Sequence, residues 1–476
     1  MKILSELISN LEVVETTGES SLQISSIHFD SKLVEKKSLF VAIKGTSRDG
    51  HDFIEEAIKR GATAIVCDQK ILKKKPNVTY IRVHDSRIAV ALLAQNFYDH
   101  PSQKLRLIGV TGTNGKTTTA TLLFNLFNSL GYSCALLSTI ENKINKKTYP
   151  ATHTTYEPVA LTSFLNEAVS EGCEYAFMEC SSHAIDQKRV WGLEFAGAIF
   201  TNLTLDHLDY HKTMEAYAKS KKELFDNLSE KSFAVINKDD AWAKYLASQT
   251  KAKKYFFSLK ETDIKQSLEG LEISWDGETI KSRLIGAFNA YNVVGVYITA
   301  TLLGIPKEKV LSHIAKLTPP SGRLEFLSSQ KGVHAVLDYA HTPDALENVL
   351  KTVREITPKG NKIITIVGCG GERDVSKRPI MGKIAFDLSD YTVFSSDNPR
   401  SEDPEQILQE MTMGLPSETG RYESESDRAK AIKKAFDYAK AGDIVLLAGK
   451  GHEDYQVLKE GKIHFSEKEQ WGKISK

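Results

Sequence analysis

Apolar positions along this chain fall into two rhythms that alternate. Short strand-like runs, among them SLFVAI from Ser38, ATAIVCD from Ala62, LRLIGV from Leu105, YAFMEC from Tyr175 and AGAIF from Ala196, are bounded by polar or glycine-containing segments. Between such runs the apolar residues recur at helical spacing, as in HDFIEEAIKRG from His51 and in Leu122, Leu123, Leu126, Phe127 and Leu130 ahead of Gly131. The alternation predicts an α/β protein. Four further runs, VHAVLD, KIITIVG, YTVFSS and DIVLLAG, are separated by helical segments such as DRAKAIKKAFDYAKAG, which predicts a doubly wound parallel sheet in the last third of the chain.

HPSQK at 100–104 reads as a linker and TPPSGR at 318–323 as a second break. With 476 residues and roughly 150 per domain, three domains are expected, at 1–102, 103–322 and 323–476. The 62 basic and 61 acidic residues nearly cancel, so no electrostatic footprint for nucleic acid appears. The KKK at 73–75 reads as a solvated loop. Glu6, Glu12 and Glu15 interrupt the N-terminal segment, so no signal peptide is expected there, and no run approaches the ~20 apolar residues that span a bilayer. The five cysteines form no C-x-x-C pair and read as reduced core residues of a cytoplasmic protein.

The loop GVTGTNGKTTT (109–119), between a strand-like run and a helix, departs from the strict phosphate-loop pattern at Val110. Its chemistry is still legible. Gly112 and Gly115 let backbone N–H groups turn toward a polyphosphate, Lys116 supplies a point charge, and Thr117 or Thr118 can ligate Mg²⁺. ATP is the expected ligand. Glu179 closes YAFMEC, and Asp206 and His207 follow AGAIF; strand ends of an open α/β sheet bring such residues to one crevice, where an acid and an imidazole beside ATP suggest metal ligation. His183 and His211, taken singly, read equally well as structural residues.

GVTGTNGKTTT, MECSSHAIDQKR, FTNLTLDHLDYH, YAKSKKELF, GAFNAYN, SGRLEF, DYAHTPDAL, GCGGERD, DNPRSED and GKGHEDYQ occur in this order from about residue 24 to residue 460. Together they resemble the Mur ligases of peptidoglycan synthesis, in particular the branch that adds the third peptide residue. The resemblance implies a three-domain architecture with a central P-loop ATPase-like domain and a C-terminal Rossmann-like domain. It also implies an acyl phosphate, formed by a substrate carboxylate on ATP and displaced by an amine. On this resemblance Gly112, Thr113, Asn114, Gly115, Lys116, Thr117, Thr118, Asn289, Asn292, Arg323 and Asp338 bind ATP. Thr117, Glu179, His207 and a carbamylated Lys221 hold Mg²⁺, and Lys116, Lys221, His207 and Glu179 serve catalysis. Against this, Lys221 reads as a surface helix residue if Lys219 and Lys222 mark exposed positions.

The resemblance further assigns Phe29, Ser31, Thr46, Ser47 and Arg48 to the UDP moiety, and His153, Thr154, Thr155, Ser181, Gln187 and Arg189 to the muramoyl dipeptide. Lys32 and Tyr156 depart from the family pattern. Arg373, Asp397, Asn398, Pro399, Arg400, Gly449 and Glu453 would hold the incoming amino acid. In the family DNPR accompanies meso-diaminopimelate, so Arg400 is expected on its far carboxylate and Glu453 on its ammonium. Asp397 and Asn398 read alternatively as caps for a helix near Pro404. L-Lysine or another diamino acid, a folylpolyglutamate synthase-like ligase, and a P-loop protein that ligates nothing are the competing readings. The expected partners are small molecules only, and the expected state is a monomer.

Overall fold

A computed structural model describes residues 1–476 except Thr46, Ser47, Thr152 and Leu268. Three sheets dominate it, in chain order. The first joins parallel strands Ser26–His28, Ser38–Val41, Ala62–Cys67 and Thr79–Val83, with Val13–Thr17 antiparallel at one edge. The second has eight strands, and its middle is the parallel trio Tyr175–Glu179, Arg106–Thr111 and Gly197–Phe200. The third has parallel strands His334–Asp338, Ile444–Ala448, Ile363–Val367, Tyr391–Ser395 and Tyr422–Glu425 in spatial order, with Glu325–Ser328 antiparallel beside the first.

The inner strands of these sheets bury both faces. On the second sheet Ile108, Val110 and Phe177 pack against helices Lys116–Ser129 and Ala287–Leu302, while Leu107, Ala176 and Met178 pack against Pro158–Ser170 and Met214–Asp226 on the other side. The third sheet is likewise covered on both faces, by helices Pro343–Ile356, Lys377–Leu388 and Pro404–Thr412 on one and Arg428–Tyr438 and Glu467–Ile474 on the other. Burial on both faces is why these strands read as unbroken apolar runs. The consequence for function is topological: parallel strands bring their C-terminal ends, and the loops after them, to one edge.

Residues 100–104, between the first and second sheets, include a short 3₁₀ turn, Pro101–Lys104, with Pro101 and Ser102 buried. Lys222 is not an exposed helix position but is buried on Asp226 and Gln249. The five cysteines are buried and free, and the KKK segment is exposed loop. Among the described residues no helix is long and apolar enough to cross a membrane.

Candidate active site

Strand Arg106–Thr111 runs straight into the glycine loop and helix Lys116–Ser129 leaves it. Gly112 (φ +153°) and Gly115 (φ +85°) are in backbone conformations that favour glycine, and a Cβ on either would strike the side chain of Thr201 or Asn292 respectively. The segment after strand Gly197–Phe200 grips the loop. Thr113 N donates to Asn202 O (2.8 Å), Asn114 N to Asn202 Oδ1 (2.9 Å) and Thr201 Oγ1 to Asn114 O (2.6 Å).

Lys116 Nζ donates to Gly112 O and Thr113 O, each at 2.9 Å, and Lys221 Nζ donates to the same Gly112 O at 2.9 Å. Lys221 is 1% exposed, so it is no surface residue, and its ammonium lies 4.6 Å from the Tyr217 ring centroid. Burial pushes both amines below the usual lysine value. For Lys116 the carboxylates of Glu179 and Asp206 oppose the effect, whereas for Lys221 nearby Lys116 adds to it.

Glu179, fully buried at its strand end, accepts from Thr139 N (2.7 Å) and Thr139 Oγ1 (3.1 Å). His207 sits at φ +56° with Nε2 3.4 Å from Asp206 Oδ2, and burial holds its ring below the usual histidine value. His183 lies 4.9 Å from the His207 ring, and His211 stacks on Tyr217. Tyr217 OH in turn pairs with Thr113 Oγ1 at 3.1 Å.

A cleft of about 480 Å³ brings together Thr113–Thr118, Glu179, His207, Asn289, Asn292, Arg323 and Asp338. The sequence-derived nucleotide set therefore converges, with Gly112 just behind it. Lys221 does not line the cleft but stands behind the loop. Thr154 and Ser181 line it too. Asn292 accepts from Thr119 Oγ1 (3.2 Å) and donates to Asn289 Oδ1 (2.8 Å), which fixes both amides. From the third sheet Arg323 Nη2 reaches Thr117 Oγ1 at 3.5 Å, and Asp338 Oδ2 accepts from Leu324 N (2.8 Å). Burial raises the Asp338 carboxyl to about 6, with Arg323 opposing the rise. Asp344, which the sequence did not single out, accepts from Asn114 Nδ2 and Thr204 Oγ1, each at 3.3 Å, and so bridges the two sheets' loops. Its position at the start of helix Pro343–Ile356, after a strand end, was the available signal.

The Tyr339 ring, 4.8 Å from the Arg323 guanidinium and 5.2 Å from the His452 ring, leads from this cleft to a second polar cluster. Asn398 Nδ2 donates to Glu453 Oε2 (2.9 Å) and Asn398 Oδ1 accepts from Val457 N (2.9 Å). Arg400 (φ +55°) donates from Nη1 to Gly371 O at 2.6 Å. Asp397 and Asn398 do not cap the following helix; Asp403 does, accepting from Glu405 N. Arg373 is exposed beside them and Gly449 holds φ +114°. Beneath them the fully buried Arg428 donates to Ser396 O (3.3 Å) and Ala448 O (2.8 Å) and pairs with the equally buried Glu467 at 2.7 Å.

In the middle unit Thr155 Oγ1 donates to Glu179 O (2.7 Å), Ser181 caps Ser182–Asp186, and Arg189 donates to Thr155 O (3.1 Å), Gln187 and Glu157. His153 lies in the same segment as Thr154 and Thr155. Tyr156 OH donates to Pro150 O (3.0 Å) and accepts from Asn142. In the first unit Ser31 is buried on Glu56 (3.1 Å), Phe29 packs on the core, and Arg48 and Lys32 are exposed. Thr46 and Ser47 lie outside the described residues.

Residues 23–98 match the Mur ligase family catalytic domain, 110–300 the Mur ligase middle domain and 322–451 the Mur ligase glutamate ligase domain. The chain is 48% identical over 474 residues to the UDP-N-acetylmuramoyl-L-alanyl-D-glutamate–2,6-diaminopimelate ligase of Cytophaga hutchinsonii, covering 98% of this chain and 97% of that one. It is 46% identical to the ligase of the same name from Parabacteroides distasonis, covering 99% and 98%. A solved structure of a ligase with that name superposes with a TM-score of 0.71 at 32% identity, over 99% of this chain and 98% of the other. A MurF ligase from Thermotoga maritima in complex with ADP shares the fold, with a TM-score of 0.63 at 22% identity over 90% and 95%. An ATP-dependent C–N ligase fold with a phosphate loop facing a second sheet is thus the class defined here. The chain belongs to the Mur ligase family.

Proposed function

We propose that this chain joins meso-2,6-diaminopimelate to UDP-N-acetylmuramoyl-L-alanyl-D-glutamate at the expense of ATP. The observation that carries the reading is the pair of buried lysines, Lys116 and Lys221, on one carbonyl of a phosphate loop that faces Arg323 and Asp338 across a cleft. Lys116 and Arg323 supply positive charge where a carboxylate must approach a polyanionic nucleotide, and Lys221 stands beside Lys116 in a buried place. The substrate carboxylate attacks the γ-phosphorus and ADP leaves. The amine of the amino acid then adds to the acyl carbon, and phosphate departs with the C–O bond while the nitrogen loses a proton.

Lys116 and Arg323 stabilise the migrating phosphoryl charge, and Asn289, Asn292 and Asp338 orient the nucleotide. Closure of the third unit over the cleft excludes the water that would hydrolyse the acyl phosphate. Thr117, Glu179, His207 and Lys221 suit a hard cation: a hydroxyl, a carboxylate, an imidazole kept neutral by burial, and an amine whose proton affinity burial lowers, which favours carbamylation by CO₂. Among the described residues no three His, Cys, Asp or Glu side chains gather to hold a metal by themselves, so this set supplies part of a shell. Mg²⁺ bound there, with Lys221 as its N6-carboxylysine, would neutralise phosphate charge. Residues 1–102 take the UDP moiety, 103–322 ATP and the dipeptide end, and 323–476 the amino acid, in a monomeric cytoplasmic enzyme of peptidoglycan precursor synthesis.

Phosphate release is the test. It should require ATP, UDP-N-acetylmuramoyl-dipeptide and meso-diaminopimelate together and yield the tripeptide by mass; release supported instead by a folate and glutamate, or by neither, refutes the reading.

A further inference from the structure

Lys450 has been given no task, yet it is among the most completely enclosed side chains of the third unit, with no solvent exposure at all. Its ammonium lies 3.1 Å from Glu453 Oε2, 3.3 Å from Asn398 Oδ1 and 3.5 Å from Asp397 Oδ1. Gly449 and Gly451, both at positive φ, flank it and give the turn that sends a lysine inward from a loop. Each of its three polar neighbours belongs to the set assigned to the incoming amino acid, and Asn398 welds them together through its bond to Glu453.

Asp397 and Glu453 bring two negative charges, and Lys450 and Arg400 bring two positive ones, with Arg373 exposed at the rim and outside the count. Taken together these four side chains are neutral, two acids against two bases. A ligand end with one carboxylate and one ammonium is also neutral, whereas an end with only an ammonium is not. Without Lys450 the same pocket would carry one net negative charge and would suit the lone ammonium better.

We propose that Lys450 is a specificity-determining positioning residue. By compensating one carboxylate from beneath, it sets the charge of the amino-acid pocket and selects a zwitterionic far end over a purely cationic one. It touches no substrate and acts through Asp397, Asn398 and Glu453. The proposal rests on the ligase reading above.

The test compares kcat/KM for meso-diaminopimelate and for L-lysine in the wild type, Lys450→Met and Lys450→Arg. Lys450→Met should reduce the preference for diaminopimelate by about tenfold or more, through KM for the amino acid, with KM for ATP within about twofold of wild type. Lys450→Arg, which keeps the charge, should keep the preference. Should the methionine variant fail to fold, Lys450→Gln, which is neutral but still a hydrogen-bond donor, carries the same expectation. Equal losses for both amino acids, or an unchanged ratio, overturn the proposal and leave the ligase reading standing. A wild-type enzyme that turns over neither amino acid overturns both.

Discussion

Lys116 and Lys221 donate to one acceptor, the carbonyl oxygen of Gly112, each at 2.9 Å. Among the described residues neither forms an ion pair with a carboxylate, so the loop holds two amines close together in a buried place. For Lys116 as a cation, that burial is costly in an empty protein and favourable once phosphate oxygens arrive. Lys116→Ala should therefore retain the fold and lose at least ~3 kcal/mol of transition-state stabilisation, a hundredfold or more in rate. Steady-state phosphate release checks this, and near-normal ligation would remove the phosphate-loop argument.

Lys221 supports a chemical prediction. An amine whose proton affinity burial lowers adds CO₂ more readily, so enzyme equilibrated with carbon-13 bicarbonate should show a carbamate resonance that Lys221→Ala lacks. The same variant should be nearly inactive and partly rescued by acetate, a small carboxylate able to occupy the vacated space. Plain lysine in fully active enzyme would count against the assignment.

Arg400 Nη1 sits on the Gly371 and Asn398 carbonyls, and among the described residues the rest of its fork is unpaired and available to a ligand carboxylate. L-Lysine leaves that guanidinium desolvated without its partner, at a penalty of roughly 1.5 to 3 kcal/mol, and discrimination built on unmet polar groups reaches about 10⁴-fold. The wild type should strongly reject L-lysine, and Arg400→Ala should raise KM for meso-diaminopimelate far more than KM for ATP. Equal kcat/KM for the two amino acids in the wild type would refute it.

Asp344 ties the phosphate loop to the third unit by two long bonds. Asp344→Ala should cost about 1 kcal/mol in kcat/KM, roughly fivefold, while leaving thermal stability nearly unchanged, because neither core depends on the bridge. X-ray scattering of the nucleotide complex should show a larger radius of gyration in the variant. An unaltered radius together with unaltered kinetics would show that closure does not pass through this carboxylate.

Burial depresses His452 from 6.5 to about 4, with Arg323 adding to the effect. Between those values the unfolded chain binds the extra proton and the folded chain does not, so this group's contribution makes stability rise with pH from about 4 to 6.5. Melting temperatures of wild type and His452→Gln should diverge in favour of the wild type across that window. Parallel curves would mean that the ring takes up its proton in the folded state.

Much of this was legible in the sequence, and the exceptions share a cause. The inner parallel strands of the second and third sheets stood out because they are buried on both faces, and topology alone puts Glu179 at the C-terminal edge of one sheet and Asp338 and Asp397 at that of the other. Strands Glu325–Ser328 and Tyr422–Glu425 escaped notice because they lie at sheet edges and carry polar, partly exposed residues. So did the antiparallel strands Asp263–Ser267, Gly270–Trp275 and Glu278–Ser282. Lys450 was not singled out: its local acid, Glu453, is three residues on, but its second acid, Asp397, lies 53 residues away, and no local pattern announces that long-range pair. Lys221 was found only through its resemblance, because a lysine inside a helix carries no sign of which way it faces.

The buried Arg428–Glu467 pair has a practical corollary for anyone handling this protein. Arg428 holds the backbone at Ser396 and Ala448, the roots of the two amino-acid loops, and its counter-ion comes from the final helix, Glu467–Ile474. Trimming that helix would strand a guanidinium in a dry interior and loosen both loops at their base. The carboxyl-terminal end is therefore a poor place to shorten, and an affinity tag is better carried at the other end of the chain.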